Sequence, residues 1–341
     1  MKRAVLICVL ITISICLWAG AKKPRASKRP AWVDDPSQLY QPERYLSTVG
    51  IGTSRSDAEE NARANLAAIL LTEVTASGEE VDRYLQITSG EQTQTSSVSQ
   101  VSTSIRAQVD QALVKLKFGK SWKDEQARYY IVAYLERTET ADIYLGMLAD
   151  NNARVMSYLR AVLDVTDPWK YHAWLNAAWT IDQHSAALLS QLAVIAPKER
   201  SAYQEPYDSE VLKFQATDAA RKLQFRFELK TPEAEELRPT LETLLISMGF
   251  VINPYAANLL SCELKLEPVD QLSEQKFFRY LLSLAIIDKD GTQIIGYSDS
   301  GREGHLIESQ ARAGAVSTAA AKLETEFRKK LLDYIDTLAR R

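Results

Sequence analysis

The chain has 341 residues, 46% of them hydrophobic, and a formal net charge of -3. This length allows two domains of ordinary size, each able to bury its own core. The charge is mildly negative, without the strong basic excess typical of nucleic-acid binding, so we expect no nucleic acid among the partners.

The first residues have the three-part layout of a secretory signal peptide. Two basic residues open the chain, an uncharged apolar run extends to Ala19, and Ala19 with Ala21 forms an Ala-x-Ala cleavage site. The apolar run is shorter than the ~20 residues that span a bilayer as a helix. We therefore expect export, with residues 1–21 removed and a mature chain that starts at Lys22.

Two features leave other forms of export open. Five basic residues follow the cleavage site and oppose translocation, which keeps an uncleaved anchor as an alternative. A lipoprotein would carry a cysteine after a small residue, and Cys16 is the candidate for lipidation, although the bulky Ile15 precedes it. If cleavage follows Ala21, Cys262 is the cysteine that remains, so no intramolecular disulfide can form.

The N-terminal part of the mature chain is predicted to be a leader followed by an α+β domain at 32–145. Residues 22–31 are basic, contain two prolines and lack periodicity, which is typical of a flexible leader. In the domain, Ser56 and Glu59 form a capping box at the start of an amphipathic helix. The hydrophobic pattern places this helix at 56–76, a second helix at 92–113 and strands at 45–49, 114–118 and 129–135.

A helical hairpin and a linker are predicted next. One helical pattern covers 138–163, and a second begins at Asp167 and Pro168, a cap and a first-turn proline, and stops before Pro197. We expect these helices to form an antiparallel hairpin over 146–197. The following segment, 198–211, is polar and contains a proline, which is typical of a linker between domains.

The C-terminal segment, 212–341, is predicted to be a second α+β domain. Its last helix carries apolar residues at a regular spacing of four, which marks one buried face. The other predicted elements are strands at 223–229, 250–252 and 260–266, a helix at 237–248 closed by Gly249, and a strand hairpin at 280–287 and 293–297. The fold class is therefore α+β, with two modules, each a strand hairpin followed by a long helix, joined through an antiparallel helical hairpin.

The N-terminal domain resembles the LPP20 lipoprotein family of bacterial envelope proteins. The matching pieces, over about residues 30–145, are Pro-Ala-Trp-Val at 30–33, Val-Gly-Ile-Gly at 49–52, small and apolar helix positions at 58–67, and Trp122 ahead of the strand at 129–137. The resemblance implies an α+β envelope domain, often lipid-anchored and sometimes found in proteins that assemble around surface structures. It carries over no catalytic residues.

Two glycine-containing segments partly match known motifs, one for dinucleotide binding and one for a catalytic nucleophile. Neither segment matches its motif completely. The Gly-Ile-Gly triplet at 50–52 lacks the third glycine of a dinucleotide fingerprint, because Arg55 stands in its place. The segment Gly-Tyr-Ser-Asp-Ser-Gly at 296–301 has its second glycine one residue too late for a nucleophile elbow. We interpret the first as a strand-to-helix turn and the second as a polar strand end.

The histidines, the remaining cysteine and an acidic cluster are explained by packing and surface charge. His172 and His184 lie twelve residues apart on one helix and cannot form the i, i+4 pair of a helical zinc site, so they and His305 are predicted at or near the surface. Cys262 alternates in phase with two leucines, which predicts a buried structural thiol. The glutamates at 233, 235 and 236 belong to a first helical turn. We therefore expect no catalytic residues, no cofactor and no metal.

These patterns favour a non-catalytic bacterial cell-envelope protein that acts in assembly of, or docking to, an envelope or surface structure. Open sheet edges can accept a strand from other envelope proteins or from a second copy of the chain. The expected location is the periplasm or the periplasmic face of the outer membrane. The basic leader at 22–31 is a candidate contact with the membrane.

The alternative function is a periplasmic binding module for a lipid or cell-wall fragment. Its ligand would lie near the helical hairpin, where Trp169, Trp174 and Trp179 offer aromatic surface. The three rings spread round the helix, so we interpret them instead as packing between modules.

The export prediction is tested by the intact mass of the protein recovered from a cell envelope. We expect a mature chain that starts at Lys22, because the Ala-x-Ala triplet directs cleavage there. A diacylated Cys16 at the N-terminus would replace this reading with the lipoprotein one, and retention of the first methionine would support the anchor.

Overall fold

The computed structural model describes residues 28–71, 113–269 and 275–340. The signal peptide with Cys16, Ala19, Ala21 and Lys22, and nearly all of the helix predicted at 92–113, lie outside these ranges. Contacts divide the described chain into two units, residues 28–71 with 113–140, and residues 141–340.

The first unit contains a three-stranded antiparallel sheet. Its strands are β1 (Tyr45–Gly52), β2 (Lys117–Lys123) and β3 (Tyr129–Glu136), in the order β1–β3–β2. Helix α1 (Arg55–Leu71) follows β1, and helix α2 (Arg137–Ala161) follows β3 and continues into the second unit. The predicted hairpin followed by a long helix is confirmed here.

Glycines let α1 lie directly on β1. A Cβ atom at Gly50 would lie 2.1 Å from the carbonyl oxygen of Ala58 and 2.2 Å from the backbone nitrogen of Ala62. The capping box differs from the prediction and lies two residues earlier, because Ser54 and Asp57 each accept a hydrogen bond from the other's backbone N–H, both at 3.1 Å.

The opposite face of the sheet is covered by the N-terminal segment. Short 3-10 turns at Ala31–Val33 and Pro36–Gln38 place Trp32 and Val33 against Tyr130 and Val132 of β3. Strand β3 is therefore buried on both faces, by these turns on one side and by α1 on the other.

The second unit places a layer of helices against a five-stranded sheet. After α2, its described helices are α3 (Pro168–Ile195), α4 (Pro197–Ala202), α5 (Ser209–Lys222), α6 (Pro232–Glu235), α7 (Arg238–Ser247), α8 (Glu308–Lys322) and α9 (Arg328–Ala339). The strands are β4 (Gln224–Leu229), β5 (Val251–Ile252), β6 (Asn258–Val269), β7 (Lys276–Ile287) and β8 (Gln293–His305).

The sheet order is β5–β4–β6–β7–β8, with β4 parallel to β5 and β6 and the other pairs antiparallel. Alternate residues of β6 and β7 enter one core, among them Cys262, which is buried as predicted. Burial raises the pKa of the Cys262 thiol to about 12, so it is not a reactive thiolate at neutral pH.

Helix α3 is the central helix of this core. It forms the predicted antiparallel hairpin with α2, in which the Tyr144 hydroxyl donates to Gln191 at 2.5 Å and the Asn151 amide donates to Ser185 at 3.0 Å. The surface assignment of His172 and His184 is wrong, because α3 is covered on several sides and both rings are buried.

Burial has a chemical consequence for these histidines. It lowers the pKa of His184 to about 4, so this ring is neutral at pH 7. The ring of His172 packs edge-on against Phe250, 5.4 Å between centroids. His305 is exposed, as predicted.

The last helix differs from the prediction in one respect. Its predicted apolar row, at positions 311, 315, 319, 323, 327, 331 and 335, is buried throughout. The segment Leu323–Phe327 is a π-helical turn between α8 and α9. A spacing of four exceeds the ~3.6 residues of an α-helical turn, so a straight helix would rotate the row away from the sheet, and the wider π turn restores its direction.

The segment 198–211, predicted as a linker, lies within the second unit and is partly helical. It contains α4 and the start of α5, a helix that the sequence analysis missed. The Asn152 amide donates to the Tyr203 hydroxyl at 2.7 Å, and Tyr207 packs against the core. Asp208 caps α5 by accepting from the backbone N–H groups of Glu210 and Val211.

The close approach of α1 to β1 gives a stability prediction. We expect Gly50→Ala to lower the free energy of unfolding by about 1–3 kcal/mol, because the added methyl group overlaps the α1 backbone. Gly146→Ala is the control, since no heavy atom lies within 4 Å of its Cβ position. It should stabilise α2 by about 0.5–1 kcal/mol. Urea unfolding measures both, and equal effects would contradict the proposed packing.

Candidate functional site

Sheet edges are natural docking sites, because an edge strand presents unpaired backbone N–H and C=O groups. In the first unit, the β1 edge is occupied by α1. The side-chain amides of Asn61 and Asn65 donate to the carbonyl oxygens of Ile51 and Val49, at 2.8 and 3.0 Å. These carbonyl groups are therefore satisfied within the unit.

The other edge of the first sheet, β2, carries lysines. Lys117, Lys120 and Lys123 are exposed along its seven residues. Lysines on an edge strand oppose pairing with a further strand, because their charge must remain hydrated. Both edges of the first sheet are thus protected among the described residues.

Strand β8 forms an open edge of the second sheet. It has 13 residues, pairs with β7 on one side and has no strand on its other side among the described residues. It contains no lysine and no proline, and three of its residues are glycine. The opposite edge, β5, has two residues and offers little backbone.

Aromatic side chains of β7 fix the position of β8. Tyr280 is directly opposite Gly301, and Phe277 is directly opposite Gly304. A Cβ atom at Gly301 would lie 2.5 Å from the Tyr280 ring, and one at Gly304 would lie 2.3 Å from the Phe277 ring. The rings cover the glycines and allow no larger residue there, so they hold the register of the edge strand.

Polar contacts tie the inner face of β8 to its neighbours. The Tyr280 hydroxyl donates to Asp299 at 2.7 Å, and the Thr318 hydroxyl of α8 donates to Glu303 at 2.8 Å. Burial, together with the hydrogen bond to Asp299, raises the pKa of Tyr280, which keeps this phenol protonated as a donor. The edge is therefore held in place before any partner arrives.

A cleft of about 790 Å³ adjoins the N-terminal half of β8. It is lined by residues of β7 and β8 and by residues of the π turn and α9: Ser283, Leu284, Ala285, Gln293, Gly296, Tyr297, Ser298, Glu326, Lys329, Lys330 and Asp333. Lys329 and Lys330 are exposed and make no ion pair with any described residue. The cleft therefore contains two lysines without an ion pair to a described residue, beside the carboxylates of Glu326 and Asp333.

Exposed apolar residues follow the C-terminal end of β8. Leu306 and Ile307, which follow the strand, are 66% and 54% exposed. Large apolar side chains with this exposure next to an open edge are candidates for contact with a partner. The open edge, the cleft and this apolar pair together form the candidate site.

The sequence analysis identified this region only in part. It predicted the end of β8 at Tyr297, whereas the strand continues to His305. The segment 296–301, weighed as a nucleophile elbow, is regular strand, as the polar-strand interpretation expected. Lys329 and Lys330 were not singled out, because their place beside β8 depends on the tertiary packing of α9.

The other residues that the sequence analysis considered as possible functional groups take part in packing or ion pairs. Glu235 and Glu236 form ion pairs with Arg238 and Arg312. Trp169 packs edge-on against Phe225, Phe250 and Tyr334 inside the second unit. Within the described ranges, no three His, Cys, Asp or Glu side chains are grouped to hold a metal ion.

One buried acidic cluster lies apart from β8. Asp182 of α3 is 3% exposed, and the hydroxyl oxygen of Ser209 lies 2.7 Å from Asp182 and 3.3 Å from Glu205. A hydroxyl has one proton and donates to one carboxylate at a time. Burial raises the pKa of Asp182, and burial with the nearby Asp182 charge raises that of Glu205.

Comparison with known families identifies the first unit. Residues 30–136 match the model of the LPP20 lipoprotein family. The LPP20 segment ends with β3 and contains the whole first sheet, the Trp32 and Val33 contacts and the glycines under α1. The resemblance found in the sequence is thus confirmed, and the second unit lies outside the matched range.

Solved structures give weaker likenesses. The secreted protein HP1454 from Helicobacter pylori is 11% identical, covers 83% of this chain and 97% of that protein, and has a TM-score of 0.43. Lipoprotein GNA1162 from Neisseria meningitidis is 10% identical over 30% of this chain and 99% of that protein, with a TM-score of 0.23. These scores are too low to support an inference. No curated protein sequence matches the chain.

The LPP20 match indicates an exported lipoprotein-like protein of a bacterial envelope. In the described part of the chain, no helix has the length and apolar character needed to cross a membrane.

The acidic cluster predicts how stability depends on pH. A carboxyl group whose pKa is raised by folding stabilises the protein below its unfolded pKa of about 4 and loses that contribution as pH rises through the folded pKa. We therefore expect Asp182→Asn to gain stability relative to wild type between pH 4.5 and 7.5, measured by urea unfolding. Asp164→Asn, at an exposed site, should follow wild type, and parallel profiles for both variants would refute the assignment.

Proposed function

We propose that this protein is a non-catalytic component of the bacterial envelope that docks onto, or helps to assemble, a larger envelope structure through strand β8. The observation that carries the proposal is the open, preorganised edge of the second sheet. We place the protein in the periplasm or on the periplasmic face of the outer membrane, with other envelope proteins as partners and the basic leader as a membrane contact.

An added strand is the partner geometry that fits this edge. Backbone hydrogen bonds to a free edge supply affinity, and pockets for alternate side chains supply specificity. The register of β8 is fixed by Tyr280 and Phe277, so little ordering entropy is lost on binding. The two protected edges of the first sheet support a specific role for β8, because this chain covers its other long edges.

Binding of a lipid or cell-wall fragment is less well supported by the geometry. The tryptophans of α3 are engaged in packing, since Trp169 is buried and the Trp174 indole N–H donates to the carbonyl oxygen of Leu338 at 3.0 Å. The cleft beside β8 is open and of mixed charge, whereas sites for small ligands are typically enclosed and mostly apolar.

The proposal is tested by site-specific photo-crosslinking in intact cells. A photoreactive residue at Ser298, on the outer face of β8, should give protein adducts of defined mass, because a docked strand would lie about 5 Å away. Leu281 is the control, since it is exposed on the same face of β7, lies one strand from the edge and does not line the cleft.

Two results would count against docking at β8. Equal adducts at both positions would show contact with the sheet face instead of the edge. Absence of adducts at Ser298, together with a rise in melting temperature of the exported protein on addition of muropeptides or anionic phospholipid, would favour the ligand-binding alternative.

A further inference from the structure

We propose that the strand docked on β8 is β8 of a second copy of this chain, antiparallel to the first and centred on Ser300. This inference rests on the proposed function and names its partner. The result would be a twofold-symmetric dimer in which the two five-stranded sheets form one continuous sheet.

The two ends of the candidate site are complementary to each other. The cleft adjoins the N-terminal half of β8, and the exposed Leu306 and Ile307 follow its C-terminal end. Antiparallel pairing of two identical strands brings the C-terminal end of each against the N-terminal half of the other. One twofold axis therefore brings Leu306 of each copy opposite Ile294 of the other, which is the self-complementarity of an isologous interface.

The charges along β8 favour this register over the neighbouring ones centred on Asp299 and Gly301, each of which would oppose two carboxylates. Directly opposite residues of an antiparallel pair point to the same face, so a symmetric pairing is centred on a single residue. Centring on Asp299 would place two carboxylates opposite each other. Centring on Ser300 places Ser298 opposite Arg302 and Tyr297 opposite Glu303, with no like charges directly opposed.

The same register brings opposite charges together at the ends of the strand. Gln293, at the cleft, would lie opposite position 307 of the second copy. The second copy's Glu308 would then approach the cleft, where Lys329 and Lys330 make no ion pair with described residues. This contact favours a second copy as the partner, and the backbone groups of both edges are satisfied together.

The open edge also explains why β8 carries so few bulky residues at its centre. Ser298 and Ser300 are small, exposed and on the outer face, opposite Ser283 and Leu281 of β7. Two copies can therefore approach to the normal strand spacing of about 4.8 Å without a steric conflict between side chains of the outer face.

A charge-swap experiment tests this pairing on the full exported protein, with mass read by light scattering. Wild type should have twice the mass of one chain. Ser300→Lys and Ser300→Glu should each weaken the dimer about tenfold or more, because like charges would meet across the twofold axis. An equimolar mixture of the two variants should recover the dimer, because Lys then faces Glu.

The matched controls are Leu281→Lys and Leu281→Glu, because Leu281 is exposed on the same face, lies directly opposite Ser300 on β7, one strand from the edge, and does not line the cleft. They should leave the mass of the dimer unchanged. Circular dichroism melting verifies that each variant is folded. If a charged variant does not fold, Ser300→Cys replaces it, and a short bis-maleimide should join two chains through position 300 but not through Leu281→Cys.

The outcomes separate this inference from the proposed function. A wild-type monomer, or Ser300 variants that dimerise like wild type, overturns self-pairing. If photo-crosslinking at Ser298 still yields adducts with a different protein, docking at β8 stands with another partner. If Ser298 yields no adduct and the protein is a monomer, both proposals fail.

Discussion

The alternation of apolar and polar residues along β6, β7 and β8 determines how the second unit is built. On β7, Tyr280, Leu282 and Leu284 face a single layer of helices, and the exposed Leu281 and Ser283 lie between them on the other face. Because helices cover one face of this sheet, its stability depends on a core that is apolar on one side only. Strand β8 is the last strand of this sheet among the described residues.

The two sheets manage their edges in different ways. In the LPP20 segment, the asparagines of α1 satisfy the carbonyl groups of β1, and lysines keep β2 hydrated. In the second unit, β8 is held from one side by Tyr280 and Phe277, and within the described ranges no strand pairs with its other side. An unprotected edge of 13 residues favours pairing with another strand. The edges at β1 and β2 are protected and the edge at β8 is not. This difference is the physical reason for proposing β8 as the docking strand.

Helix α3 shows the cost of a central position in the core. Surrounded by α2, α5 and α9, it buries polar side chains that an ordinary surface helix would expose, among them Asp182, Ser185 and Gln191. Most gain partners from neighbouring helices, as Gln191 does from Tyr144. Asp182 shares the hydroxyl of Ser209 with Glu205. Burial raises the pKa of both carboxyl groups, and the nearby Asp182 charge raises the pKa of Glu205 further.

Local sequence determined the type and order of most elements. The cap formed by Asp167 and Pro168, the left-handed Gly249 with φ of +83° and the apolar row of the last helix depend on residues close in the chain, so a single sequence reveals them. The buried Cys262 followed from simple alternation. The LPP20 resemblance likewise rested on short segments whose order is visible in the sequence.

Tertiary structure decided what the sequence could not. The burial of His172 and His184 depends on helices that surround α3, and α5 was hidden by the polar residues that precede it. The length of β8 and the place of Lys329 and Lys330 beside it depend on β7 and α9. These features arise from contacts between residues distant in the chain, such as Tyr280 with Gly301. The local periodicity of the sequence does not reveal contacts of this kind.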